Sequence, residues 1–70
     1  MDLYEDEPRA HLLLKQAKNY YADNRYFEAG EDLRACLAVC HRHDELRDGK
    51  IANEAHFCLG MVLENMGVLA

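Results

Sequence analysis

Seventy residues allow one small domain, and a chain of this length buries only about 60% of the surface its unfolded form exposes. Half of those residues are hydrophobic, with a single proline and four glycines, which excludes a disordered composition. The formal charge of −5, thirteen acids against eight bases, argues against the phosphate contacts that dominate nucleic-acid affinity. Arg34, Arg42 and Arg47 are spread among Glu31, Asp32, Asp44 and Glu45, so there is no basic footprint for a nucleic acid to follow. Strand signals are missing as well: no Val/Ile/Thr-rich alternating run exists, and the chain contains no Ser, Thr or Trp. An all-α fold is expected.

Residues 1–7 read as an acidic leader, Met-Asp-Leu-Tyr-Glu-Asp-Glu, which is unlike a signal peptide because no basic start precedes an apolar core. Pro8 suits the first turn of a helix, and the preceding carboxylates suit its positive end. Helix one is predicted over about 8–23. Leu13, Ala17, Tyr20 and Tyr21 mark one face of it, while Leu12, Leu13 and Leu14 run consecutively and cannot all meet one neighbour. Asp23-Asn24-Arg25 then breaks the period with residues that favour turns and tolerate left-handed backbone.

Helix two is predicted over about 26–41, with Tyr26, Ala29, Leu33, Cys36, Leu37 and Cys40 inside and Glu28, Glu31, Asp32 and Arg34 in water. Ala17, Ala29 and Cys36 are small enough for two antiparallel helices to approach closely. The polar segment His41–Gly49 loses the period and is expected to extend helix two before turning at Asp48-Gly49. Helix three follows over about 50–66, its main stripe being Ile51, Ala52, Ala55, Leu59, Val62, Leu63 and Met66. Glu54 and Glu64 interrupt it, so no eighteen-residue apolar run exists and no membrane span is expected. Three cysteines, an odd number, suit reduced thiols in a cytoplasmic setting better than a disulfide framework.

The order small–x–x–Tyr20-Tyr21–x–x–Asn24–x–Tyr26–x–Glu28-Ala29–x–x–x–Leu33–x–x–Cys36-Leu37 resembles the tetratricopeptide repeat family. Ala17 falls at the family's small residue, Tyr20 at its packing tyrosine, Asn24 at the turn glycine, Tyr26 at the turn aromatic and Ala29 at the alanine of the second helix. Leu13, Leu33 and Cys36 replace a tryptophan, an aromatic and a second alanine. Gln16 stands where leucine is common, and His41 stands where the terminal proline would be. Leu59-Gly60 through Gly67 resembles the first helix of a second repeat, Gly60 lying 43 positions after Ala17. A usual unit is about 34 residues, so the repeat would be a long variant. The resemblance implies an antiparallel helix hairpin plus a third helix over 8–70, stacked with a right-handed superhelical sense, about one and a half repeats in all.

Phe57, Met61 and Leu63 are expected to point away from the Leu59 stripe, more apolar surface than two other helices can shelter. Either further repeats of the same array or a second copy, forming a homodimer, would cover it; self-association is the expectation. The resemblance also implies a scaffold or adaptor whose concave face binds a protein or peptide partner. By alignment that face carries His11, Leu14, Lys18, Tyr21 and Ala22 from helix one, and Glu54, Phe57, Met61, Glu64 and Asn65 from helix three. Lys18 and Glu54 would orient a partner at the rim. Leu14 and Lys18 occupy positions where a carboxylate-clamping repeat has lysine and asparagine respectively, so chaperone tails are not the expected ligand.

An alternative function is a small metal-binding or redox-responsive protein. Cys36 and Cys40, one turn apart on helix two, would share an ion with His43 or His56. Against it, the spacing is no zinc knuckle and buried cysteine is an ordinary core residue. His41 and His43 are expected as exposed caps of helix two, and Glu5/Asp6 as a solvated pair. No enzyme activity and no cofactor are expected: there is no serine nucleophile, no Gly-rich phosphate loop and no His-Glu-x-x-His helix. His56 and Cys58, two apart on a helix, diverge and cannot act as a nucleophilic pair.

Overall fold

A computed structural model describes residues 2–67. Over these the chain is all-helical: α1 spans Leu3–Ala22, α2 Tyr26–His41, α3 Asp44–Arg47 and α4 Lys50–Asn65. The last three residues of the expected domain, 68–70, lie outside the described residues. The boundaries of α2 are those the apolar period predicts, and α4 ends one residue earlier than expected.

The hairpin between α1 and α2 closes by backbone chemistry. Asn24 adopts φ +63°, the left-handed region in which asparagine is one of the few tolerated side chains. Around it the Arg25 N–H donates to the Tyr20 carbonyl at 2.9 Å and the Asn24 N–H to the Tyr21 carbonyl at 3.0 Å. This is a Schellman cap, in which the left-handed residue turns the chain while the orphan carbonyls are satisfied. Tyr26 Oη donates to Asn24 Oδ1 at 2.9 Å, fastening the first residue of α2 to the turn.

Beyond the turn, α2 becomes the centre of the core. Ala29, Leu33, Cys36 and Cys40 are essentially solvent-free, and Gly30, Leu37 and Val39 are buried with them. On one side they meet Ala10, Leu14 and Ala17 of α1; on the other they meet Ala52, Ala55 and Val62 of α4. Small residues let the backbones approach: a Cβ on Gly30 would stand 3.6 Å from Val62 Cγ1. The Cys36 thiol donates to the Ala10 carbonyl at 3.2 Å across the α1–α2 contact.

Four expectations are corrected. Residues 3–7 are not a leader but the first turns of α1, which starts at Leu3 with Asp2 as its cap; the Tyr4 N–H donates to Asp2 Oδ1 at 2.9 Å. Pro8 therefore sits inside the helix, where it removes the bond to the Tyr4 carbonyl. Tyr4 is 90% exposed on this turn, while Leu3 and Asp6 face the core. Second, Asp6 and His43 are both buried, not solvated: His43 Nε2 donates to Asp6 Oδ2 at 2.8 Å.

Third, α2 is not extended. The chain leaves it at His43, in extended conformation, and makes one separate turn, α3, which inserts Leu46 at 5% exposure into the core. Fourth, Asp32 is half-buried rather than wet, with Oδ2 enclosed and unpartnered, and burial raises its carboxyl above the usual range.

Two outcomes follow from these contacts. Asn24→Val should lower stability by about 1–2 kcal/mol in urea unfolding, the cost of forcing a β-branched residue left-handed, whereas Asn24→Gly should not. The His43 hydrogen bond holds the Asp6 carboxyl below its usual range. Its contribution is therefore present above about pH 4 and is lost as pH falls through the lower folded value. Unfolding followed between pH 6 and pH 2 should show that loss in the native chain and a flatter profile for Asp6→Asn.

Candidate protein-binding groove

α1 and α4 both pack on α2 and also meet each other side by side, with a groove along their contact. Two polar links cross it. Lys18 Nζ donates to Glu54 Oε2 at 2.6 Å near the middle, and Asn65 Nδ2 donates to Tyr21 Oη at 2.9 Å near one end. Lys18 and Glu54 are each substantially exposed, so water and salt screen the pair and it orients the helices more than it stabilises them. The hydrogen bond raises the Lys18 ammonium above its usual range and lowers the Glu54 carboxyl below its own.

The two links divide the groove into unlike halves. Between them lies an apolar cavity of about 230 Å³, walled by Ala17, Lys18, Tyr21, Leu33, Cys58, Met61 and Val62. Tyr21 is its best-held wall. It takes the Asn65 hydrogen bond on its hydroxyl and meets Tyr26 edge-on, with ring centroids 5.4 Å apart. Asn65 also donates to the Met61 carbonyl at 2.8 Å, which fixes the amide that holds Tyr21. On the other side of the Lys18–Glu54 link is a cleft of about 240 Å³ with His11, Lys15, Lys18 and Lys50 around Glu54, and Leu14 and Ile51 as its apolar lining. Three lysines in one cleft of a chain carrying −5 is a local reversal of charge sign.

Of the side chains expected to bind a partner, the structure brings His11, Leu14, Lys18 and Glu54 into the cleft, and Lys18, Tyr21 and Met61 around the cavity. Leu14, only 4% exposed, is a core residue whose edge lines the cleft. Phe57, at 69% exposure, and Glu64 line neither half; both lie on the face of α4 turned away from α2. Lys15, Lys50, Ile51 and Cys58 belong to the groove and were not read from the sequence. Their signal was the helical period itself: Ile51, Cys58 and Met61 climb one flank of α4 at spacings of seven and three.

The metal alternative lacks its geometry: among the described residues no group of three or more His, Cys, Asp or Glu side chains could hold an ion. Cys36 and Cys40 lie in the α1–α2 core, His43 is bonded to Asp6, and His56 lies beside His41, ring centroids 6.2 Å apart. Burial, with lesser contributions from Cys40, pushes the Cys36 thiol up to about 12, and burial raises Cys40 and Cys58 as well. No described helix is long and apolar enough to cross a membrane. Compared with protein-family models, curated proteins and solved structures, the chain shows no match to any.

Thiolate is the reactive form of cysteine, so these environments set an order of modification. With a thiol reagent at neutral pH, Cys58 of the cavity wall should react first and slowly, and Cys36 and Cys40 only at the rate of unfolding. Rapid labelling of either core thiol in the folded chain would show that the α1–α2 contact opens on its own.

Proposed function

We propose that this protein is a small tetratricopeptide-like interaction module, a scaffold or adaptor acting in the cytoplasm, whose α1–α4 groove receives a peptide or helix of a partner protein. The observation that carries the reading is the Tyr21–Met61 cavity: concave, almost wholly apolar, and already shaped by the Asn65–Tyr21 bond. A preformed apolar pocket beside a few placed polar groups is the usual anatomy of a recognition site. Tyrosine and methionine suit it, one a rigid amphipathic anchor and the other an adaptable filler.

The repeat-like order of residues and the antiparallel α1–α2 hairpin with its left-handed Asn24 support the family reading, and the right-handed stacking is part of the same proposal. An apolar side chain of the partner would enter the cavity. The neighbouring Lys15 and Lys50 suit an acidic residue placed one turn away from that anchor, where complementary charge speeds encounter and sets orientation. The Lys18–Glu54 link lies between the two subsites and fixes their spacing.

Peptides selected from a random library on the immobilised chain provide the test. Bound peptides should shift the NMR signals of Lys18, Tyr21, Cys58 and Met61, and Met61→Glu should weaken binding at least about tenfold with helicity unchanged. Peptides that instead shift only residues outside the groove, or that bind Met61→Glu equally well, would contradict the proposal.

A further inference from the structure

The face of α4 opposite the core carries a second pattern, of which the groove uses only Lys50. Lys50, Asn53, Phe57, Gly60 and Glu64 recur at spacings of three, four, three and four. That is the spacing of a coiled-coil seam, here with Phe57 as its one large apolar residue: residues seven apart drift by only about 20° on a straight helix, so all five share one stripe. Phe57 at its centre is 69% exposed. Beside it, a Cβ added at Gly60 would meet nothing within 4 Å, so the glycine makes an open notch in the helix surface. Lys50 stands one heptad before Phe57 and Glu64 one heptad after, and among the described residues neither forms an ion pair.

Such a stripe complements itself when the second helix runs the opposite way. A cation at one end and an anion at the other then meet their opposites, and the two helix dipoles oppose as well. A parallel pair would set lysine against lysine and glutamate against glutamate. We infer that α4 pairs with the α4 of a second copy of this chain, antiparallel about a two-fold axis between residues 58 and 59. In that register each Phe57 ring enters the notch at the partner's Gly60, and Asn53 lies opposite the partner's Glu64. Lys50 stands three residues, about 4.5 Å along the axis, from the partner's Glu64, within reach of its long side chain. The contact is isologous, each copy giving the same patch. The stripe shares Lys50 with the cleft of the groove, while Phe57, Gly60 and Glu64 line neither the cleft nor the cavity.

Sedimentation velocity of the full chain at rising concentration tests the inference, with circular dichroism as the control for folding. The unmodified chain should pass from monomer to dimer. Gly60→Gln fills the notch without touching the monomer's own packing and should weaken the dimer at least about tenfold, with helicity kept or raised by the better helix former. Lys50→Glu and Glu64→Lys should each weaken it by roughly threefold or more, since both ends of the dimer change together, and the double exchange should restore it. A chain that stays monomeric up to about 1 mM, the weak end of specific association, would overturn the inference. So would a dimer indifferent to Gly60→Gln, or a double exchange no tighter than either single one.

Discussion

Burial of about half the circumference of α2, from Val39 round through Cys36 and Leu33 to Gly30, places everything else in the molecule. A helix apolar over so wide an arc needs two neighbours, and it has α1 on one side and α4 on the other. The large apolar contributions to the core, Leu14, Leu33, Leu37 and Val62, all meet at this central element. Because α2 takes the apolar faces of both neighbours, little remains to close α1 against α4, and what links those two is polar and exposed. The groove is the consequence of a core that is satisfied elsewhere.

The rest of the architecture trims the ends of that sandwich. At one end the left-handed Asn24 turns α1 into α2 without a loop to spare. At the other, Asp6 reaches from the first turn of α1 to His43 where the chain leaves α2, and Leu46 is buried in the core there. A buried carboxylate is costly unless it is hydrogen-bonded, and the imidazole meets that need while pinning two segments 37 residues apart. Polar contacts therefore define where the helices begin and stop, and apolar contacts define how they pack.

Periodicity made α2 legible, because a residue class repeated over four turns leaves one face unmistakable. The turn was legible for a chemical reason, Asn24 being among the few side chains that accept its backbone. Asp6, His43 and Leu46 were not legible. Each sits in a run of charged neighbours that looks solvated, and only the fold shows that the two ends of the α1–α2 hairpin meet there. In the groove, Lys18, Tyr21 and Met61 could be found by aligning helix against helix. Phe57 could not be told from them by the same means: the period gives the faces of a helix, and the rotation of α4 against α2 decides which face turns inward.

Amide hydrogen exchange on the native chain tests the central role of α2 most directly, since the slowest amides report the last structure to open. The amides from Leu33 to Cys40 should exchange only with global unfolding, and those of α3 and of residues 3–7 well before, through partial openings. Amides of α2 that exchange as fast as those of α3 would show that the helix is not what holds its neighbours in place.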